Sequence, residues 1–291
     1  MILFLTLNIV LTVALFSIFK LFGKYKIDNL QAIVVNYFVA GLIGYFITVP
    51  TPLISEIVSK EWFVHAVWLG FLFVSLFLIL AISAQKIGVA VTTTANKISV
   101  VIPVLFGILI LGESYSWQKI IGVVLAIISI LFVTGGDGQT KLNWRNFLLP
   151  LLLFIGGGII DTSLGVIQTR FVPESEASWF TITLFWISGA LGGLILIGKL
   201  ALKKTKLHAK SLIAGIVLGV PNYFSIYFLL RAIDTEVLET SAFFPVANLG
   251  SILFATLVSR LFFGERLTNK KYIGIVLSIF AIGFIVWKEL F

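Results

Sequence analysis

Apolar runs of about twenty residues recur along almost the whole chain, long enough for helices that cross a bilayer. A helix rises ~1.5 Å per residue, so each run can span the ~30 Å hydrocarbon core. Of the 291 residues, 59% are hydrophobic and only 12% are charged, too few charges to cover a water-soluble surface. The sequence therefore predicts ten membrane-spanning helices, at residues 2–19, 30–49, 62–83, 88–111, 117–135, 146–167, 178–198, 211–230, 237–262 and 272–287.

The chain contains an internal duplication. Residues 95–134 align without a gap on residues 247–286, with fifteen identities in forty positions. Each predicted repeat, 1–136 and 145–291, holds five spans, and because five is odd, equivalent helices cross the membrane in opposite directions. The sequence thus predicts an all-α integral membrane protein built as two inverted five-helix repeats. Such proteins usually bind substrate near the bilayer midplane, between the repeats.

The basic residues are distributed unevenly between the two sides of the membrane. Loops after predicted helices 1, 3, 5, 7 and 9 hold fifteen Lys and Arg, and the opposite side holds five. The positive-inside rule makes the first set cytoplasmic and places both termini outside. The net charge of +8 therefore indicates orientation, not nucleic-acid binding. No basic segment precedes the first helix, so we expect it to be retained instead of cleaved as a signal peptide.

Residue types needed for metal and covalent chemistry are scarce. The chain has no cysteine and only two histidines, His65 and His208, both near the ends of predicted helices. This excludes disulfides, thiolate ligands and a histidine-rich metal centre. Gly156-Gly157-Gly158 lacks the strand, loop and Lys-Ser/Thr ending of a phosphate loop, and we can assemble no nucleophile and base. We expect no cofactor, no resident metal and no enzymatic activity.

Two charged residues are predicted to lie near the middle of the bilayer. Lys97 falls about ten residues into the fourth helix, and Asp161 falls within the sixth. A charge at this depth costs ~3 kcal/mol on insertion scales, so it persists mainly where it faces protein or water and has a partner. One interpretation is that they bind the charged groups of a substrate or carry a coupled proton. The other is that they form an ion pair for helix packing, or that Lys97 snorkels.

Further candidates for the substrate site are amides and aromatics. The repeat relates Asn96 to Asn248, on helices that each carry a polar stripe. Both amides could line a cavity, or they could form hydrogen bonds to neighbouring helices. The sequence supports these two interpretations equally. Tyr223 and Trp186 could contact an apolar or planar substrate, although such aromatics more often pack in the core or at membrane interfaces.

Small residues and carboxylates near helix ends favour structural roles. Glycines that should let helices approach closely occur in predicted helices 2, 7 and 8: Gly41, Gly44, Gly189, Gly192, Gly193, Gly215 and Gly219. Glu113 and Glu265 precede helices, where a carboxylate can meet free amide groups and the positive end of the dipole.

The two halves carry matching short motifs: Leu111-Gly112-Glu113-Ser114 and Phe263-Gly264-Glu265-Arg266, Gly122 and Gly274, and Ala81-Ile82 and Ala232-Ile233. With these motifs and its ten-helix plan, the chain resembles the EamA-type transporters of the drug/metabolite transporter superfamily, and the resemblance covers essentially the whole chain. In that superfamily the termini are commonly cytoplasmic, which is the reverse of what the charge distribution predicts here.

The resemblance implies a secondary active transporter, an exporter of a small organic metabolite such as an amino acid, in a bacterial-type inner membrane. Its partners would be that substrate, the lipid bilayer, and a coupled proton or counter-substrate. The candidate substrate-binding residues are Lys97, Asp161, Asn96, Asn248, Tyr223 and Trp186. The alternatives are a lipid or lipid-linked flippase, for which we expect a groove open sideways to lipid, and a non-transporting membrane scaffold.

Overall fold

A computed structural model describes residues 2–48, 54–110, 116–134, 144–233, 240–285 and 287. Within these ranges the chain is helical and has no strand. The helices are α1 (Ile2–Tyr25), α2 (Asn29–Ile47), α3 (Ile54–Val58), α4 (Trp62–Ile87), α5 (Val89–Lys97), α6 (Val101–Leu109), α7 (Trp117–Thr134), α8 (Trp144–Phe171), α9 (Ala177–Ala201), α10 (Ala209–Ile233), α11 (Thr240–Phe263) and α12 (Asn269–Ile285).

The helices have the lengths that a multi-span membrane protein requires. Seven helical segments of the described chain are long and apolar enough to cross a bilayer, and two shorter apolar helices, 117–132 and 247–263, accompany them. The tenth predicted span falls mainly in α12, which has 17 residues. The structure adds one element that hydropathy did not predict, the five-residue helix α3 between α2 and α4.

Helix α2 lies at the centre of the packing. It contacts α9 and α10, while α1 packs on α10 and α11, α4 packs on α8 and α9, and α7 pairs with α12. The side chains of Phe19, Tyr37 and Phe185 are almost completely buried where α1, α2 and α9 meet the remaining helices. The Tyr37 ring lies 5.2 Å from that of Phe77 and 6.2 Å from that of Phe185, measured between ring centroids.

Glycines allow α10 and α9 to lie directly against α2, as the sequence predicted. A Cβ atom at Gly215 would stand 2.5 Å from the Ala32 carbonyl oxygen, and one at Gly219 would stand 2.9 Å from the Asn36 carbonyl oxygen. On the other side of α2, a Cβ at Gly41 would meet the Trp186 ring at 2.3 Å. No side chain fits between the α2 and α10 backbones at Gly215 and Gly219, and at Gly41 an added side chain would collide with the Trp186 ring, so the close packing depends on glycine.

Four connections meet at one end of the bundle, which we call the basic end. The Asp28 backbone N–H, in the α1–α2 turn, donates to the Ser211 hydroxyl at the start of α10 over 3.0 Å. The Gln85 side-chain amide, near the end of α4, donates to the Asn29 side-chain oxygen over 2.8 Å. The α11–α12 connection reaches the same end through Glu265. These connections include most of the loops whose lysines and arginines were predicted to be cytoplasmic.

The opposite end is tied together by one carboxylate, that of Glu176. It accepts hydrogen bonds from Lys60 Nζ and from the Trp62 indole N–H, each over 2.6 Å. Both bonds favour the charged form, so they hold the pKa of Glu176 below its usual value, with the Lys60 bond the larger influence. Helix α4 is thereby joined to the start of α9.

Candidate functional site

The predicted fourth helix is broken at its polar stripe. α5 ends at Lys97, a single 3₁₀ turn covers Ile98–Val100, and α6 begins at Val101. Pro103 has no N–H to donate to the carbonyl of Ser99, so one i→i−4 hydrogen bond of a regular α-helix is missing at this point. Tight 3₁₀ turns inside a span often mark hinges or functional positions. The break places Lys97 and Ser99 where the helix changes course.

A cavity of about 700 Å³ adjoins this break. Its polar lining comprises Asn8 and Thr12 of α1, Asn96 and Lys97 of α5, Lys119 of α7, Asp161 and Gln168 of α8, Asn222 and Ser225 of α10, and Asn248 of α11. The volume lies within the range of small-molecule sites.

The two ends of the cavity differ in exposure. Toward the basic end it is lined by Phe19 and Leu80, which are only 1% and 4% exposed. Along α8, by contrast, Asp161, Gly165 and Gln168 are exposed. We therefore interpret the basic end as the closed side of the cavity and the α8 side as the accessible one.

Lys97 and Asp161 both line the cavity and interact electrostatically. Asp161 also accepts a long hydrogen bond, 3.5 Å, from the Ser99 hydroxyl. In the described part of the chain the lysine and aspartate form no direct ion pair within 4.0 Å. The two opposite charges thus share one cavity without neutralising each other by contact, an arrangement that leaves both able to meet a ligand.

Asn96 and Asn248 lie in the same lining, and Asn248 also has a packing role. Its amide donates to the Lys97 carbonyl over 3.4 Å, which links α11 to the broken helix. A Cβ at Gly157 would stand 2.8 Å from the Ser99 hydroxyl and 3.2 Å from the Asn96 side-chain oxygen. The glycine therefore lets α8 reach the break, and its place inside α8 agrees with the prediction that the triple glycine is no phosphate loop.

The wall made by α1 and α10 contains residues that sequence reasoning did not place in the site. The Asn8 amide donates to the Ser225 carbonyl over 2.8 Å. Asn222 lines the cavity, is 3% exposed, and its Nδ2 has no hydrogen-bond partner among the described residues. A buried donor without a partner costs ~1–3 kcal/mol, so a ligand acceptor would be favoured there. Asn8 could have been identified from the sequence as a site residue, because it is a lone asparagine within the apolar first span.

Trp186 and Tyr223 are not among the residues that line this cavity. The Trp186 ring lies against Gly41 and packs on Tyr45, with ring centroids 5.7 Å apart. Tyr223 is buried beside Gly44 and stacks on Tyr227. Both aromatics fill the space beside the small residues of α2, and we do not include them in the candidate site.

The remaining lining is apolar and aromatic. Phe16 and Phe19 of α1 and Phe73 and Phe77 of α4 contribute rings toward the closed end. The described chain contains no group of three or more His, Asp or Glu residues that could hold a metal ion. The site thus combines a separated pair of opposite charges, several amides and a phenylalanine-rich end, which suits a small molecule with both polar and apolar parts.

Fold and site together define a multi-span α-helical membrane protein with a polar cavity inside its helix bundle. The chain belongs to the same family as an uncharacterized protein of Haemophilus influenzae, to which it is 32% identical over 283 residues, 94% of each chain. No family model matches the sequence. A protein of known crystal structure shares the fold with a TM-score of 0.63 at 14% identity, covering 99% of this chain and 96% of that one.

Proposed function

We propose that the chain is a secondary active transporter of a small organic metabolite that works by alternating access. The observation that carries this proposal is a cavity, interpreted as closed at one end, whose lining includes Lys97, Asp161, Asn96 and Asn248. Intramembrane charges usually mark substrate or ion pathways. A metabolite exporter of the EamA type, for instance one for an amino acid, agrees with this reading.

The helix contacts support two repeats of five helices. The proposed repeats pair the helices as follows: α1 with α8, α2 with α9, α4 with α10, α5 with α11 and α7 with α12. When each helix is exchanged for its equivalent, the contact of α1 with α10 becomes that of α8 with α4. The contact of α2 with α10 likewise becomes that of α9 with α4. The pairs α2 with α9, α5 with α11 and α7 with α12 are unchanged, as expected for helices beside a two-fold axis. We propose that this axis lies in the membrane plane.

The cavity lining supports the same correspondence at the level of residues. Equivalent lining positions on α1 and α8 are all separated by 149 residues: Asn8 and Gly157, Thr12 and Asp161, Leu15 and Leu164, Phe16 and Gly165, Phe19 and Gln168. The same spacing relates α4 to α10, through Phe73 and Asn222, Leu76 and Ser225, Phe77 and Ile226, Leu80 and Leu229. Equivalent faces of the repeats thus enclose the cavity, and within these two helix pairs α8 and α10 supply more of the polar groups than α1 and α4.

We propose that the basic end is cytoplasmic, because it carries the excess of Lys and Arg. The cavity would then be accessible from outside and closed toward the cytoplasm. This is one of the two states that an alternating-access carrier must visit.

Transport itself can be tested with purified protein in two steps. A thermal-shift screen against amino acids, sugars, nucleosides and cationic drugs identifies the ligand class, because a ligand of the native state raises the melting temperature. Uptake of the best compound into reconstituted vesicles is then compared for the parent, Lys97→Met and Asp161→Asn at equal folded protein. We expect at least about a tenfold loss of uptake in each variant, equivalent to ~1.4 kcal/mol.

The exposed Lys24, at the basic end, provides the matched control. Lys24→Met removes the same charge outside the cavity and should transport like the parent. Loss in Asp161→Asn alone, with a shifted pH profile, would identify proton coupling. If both cavity variants fold and transport at the parent rate across pH, the charges serve packing and the site assignment is wrong.

A further inference from the structure

Glu265 joins the two proposed repeats at the closed end of the cavity. Its carboxylate oxygens lie 3.0 and 3.1 Å from the backbone N–H of Val89, the first residue of α5, and accept its hydrogen bond. One of them lies 3.5 Å from Lys20 Nζ of α1. Glu265 belongs to the second repeat, whereas Lys20 and Val89 belong to the first. The sequence predicted a capping role for this glutamate, and the helix that it caps is 176 positions away.

Local structure explains why the glutamate points across the interface. Helix α11 ends at Phe263, and Gly264 adopts a φ of +59°, a left-handed conformation that suits glycine. The Glu265 N–H then donates to the Ser259 carbonyl of α11 over 3.0 Å. The Gly-Glu pair of the sequence thus stops one helix and directs the following carboxylate away from its own helix. The equivalent pair, Gly112-Glu113, lies outside the described residues.

The residue before α5, next to the amide that binds the Glu265 carboxylate, has a backbone conformation and a close contact that require glycine. Gly88, which precedes α5, has a φ of +97°, and a Cβ there would lie 2.5 Å from the Glu265 carboxylate. The first amides of a helix have no partner within the helix, and its N-terminus attracts a negative charge. The carboxylate satisfies one of these amides and is itself paired with Lys20, whose side chain is only 27% exposed.

The contact lies at the start of a helix that leads from this end of the bundle to the site. Helix α5 has nine residues, begins at the Glu265 contact and ends at Lys97, beside the cavity and the 3₁₀ break. Lys20 follows Phe19, and Gln85, whose carbonyl accepts from Lys20, lies five residues beyond Leu80. Phe19 and Leu80 are the side chains that we interpret as closing the cavity, and we call them the apolar seal. The residues of the polar contact therefore lie near those of the seal in both α1 and α4.

We propose that the Glu265 contact with Val89 and Lys20 is a latch that holds the basic end of the cavity closed, and that its release lets α5 move about the 3₁₀ break. The latch regulates access to the site of the proposed carrier, and in that sense it rests on the proposed function. Opening the basic end requires the carboxylate to leave the N-terminus of α5. Ligand-driven opening is then a shift between two states, which weakening the latch should favour.

The test measures access to a residue behind the seal. Ala84 of α4 is completely buried and does not line the cavity, and the chain has no cysteine, so Ala84→Cys provides a single reporter. The rate of its modification by a small charged thiosulfonate is measured in nanodiscs without any substrate. Glu265→Ala removes both contacts, and Glu265→Gln keeps an acceptor but removes the charge. Lys20→Met keeps the bond of Glu265 to Val89 and removes the ion pair, together with the hydrogen bond from Lys20 to the Gln85 carbonyl. We expect the rate to rise in the order parent, Lys20→Met, Glu265→Gln, Glu265→Ala, by about tenfold for the last.

Glu176→Gln provides a matched control at the opposite end, since it removes another carboxylate paired with a lysine. In the Glu176→Gln variant, the labelling rate of Ala84→Cys should stay within about twofold of the parent rate. This is well under the tenfold change that ~1.4 kcal/mol produces. Folding of every variant is monitored by gel filtration and tryptophan fluorescence. If Glu265→Ala does not fold, the two milder variants decide. The latch proposal is overturned if the folded Glu265 and Lys20 variants label Ala84→Cys at the parent rate, or if the Glu176→Gln control labels it as fast as Glu265→Gln does. Because this readout uses no substrate, its failure is distinct from a failure to detect transport.

Discussion

At the scale of single residues, carboxylates join helices that are far apart in the chain. Glu176 binds Lys60 and Trp62 across more than a hundred positions, and Glu265 binds Lys20 and Val89 across still more. Each carboxylate lies at an end of the bundle, where it retains some exposure. Such partly exposed pairs contribute ~0–1 kcal/mol in general, and hydrogen bonds to a charged group contribute ~1.5–3 kcal/mol. These contacts therefore affect stability measurably without dominating it.

The lowered pKa of Glu176 predicts a pH-dependent contribution to stability. A carboxylate whose folded pKa is depressed stabilises the protein above its unfolded pKa, and this stability is lost as the pH falls through the folded pKa. Glu176→Gln should therefore lower the free energy of unfolding by ~1 kcal/mol at pH 7.5, and the difference from the parent should shrink at pH 4 and below. Melting followed by tryptophan fluorescence in detergent at several pH values checks this.

The exposed carboxylate of Glu61 makes no capping hydrogen bond and provides the comparison. Glu61→Gln should differ little from the parent at any of these pH values. A penalty for Glu176→Gln that is equal at pH 7.5 and pH 4 would show that the charge of Glu176 is not its source.

At the scale of elements, the centre of the bundle is built on backbones in contact. Helix α10 presents Gly215 and Gly219 to α2, and α2 presents Gly41 and Gly44 to α9 and α10. Since lipid tails are as apolar as most side chains, membrane helices associate mainly through close packing and hydrogen bonds. The broken α5–α6 segment is the exception to regular helices. Its equivalent α11 runs unbroken from Thr240 to Phe263 and has Ala255 at the position of Pro103.

Adding one methyl group at this interface should destabilise the bundle. Gly219→Ala places a Cβ 2.8 Å from Val39 and 2.9 Å from the Asn36 carbonyl oxygen, so α10 and α2 must separate. We expect a loss of ~1–3 kcal/mol and a lower melting temperature. Gly198→Ala in α9 is the control, because no atom lies within 4 Å of the added methyl group and alanine has the higher helix propensity. Equal melting temperatures for the two variants would contradict the packing argument.

At the scale of the whole molecule, the two ends of the bundle differ in charge and in closure. The basic end brings together the connections at Asp28, Gln85, Ser211 and Glu265, and there the cavity is closed. The other end carries Glu176 and the exposed residues of α8 that give access to the cavity. Lysines and arginines next to spans resist translocation, so this asymmetry predicts how the molecule is inserted.

The orientation can be measured with single cysteines in the cysteine-free chain. Lys203 lies at the basic end and Ser175 at the other, and both are exposed. In intact cells a membrane-impermeant thiol reagent should modify Ser175→Cys and leave Lys203→Cys unmodified until the membrane is permeabilised. Modification of Lys203→Cys alone would reverse the orientation and make the described state open to the cytoplasm.

The sequence alone determined the membrane setting, most of the spans and the duplication. Hydropathy over about twenty residues is a property of the local chain, and a bilayer admits almost only helices for such segments. The sequence also identified Lys97 and Asp161 as candidate site residues. A charge within an apolar span requires polar surroundings wherever the helix packs. Asn96 and Asn248 followed from the repeat, and the structure places all four in one cavity lining.

Only the tertiary structure decided which polar residues share a space and which aromatics merely pack. Trp186 and Tyr223 have the composition of ligand contacts, but the glycines of α2 leave room that their rings fill. Asn8 and Asn222 are single amides more than two hundred positions apart, and they meet one cavity wall because α1 packs on α10. Glu265 was recognisable as a cap from its neighbours, while the identity of the capped helix depended on the contact of two segments that no local pattern relates. Long-range packing selects such partners, and the local sequence does not encode them.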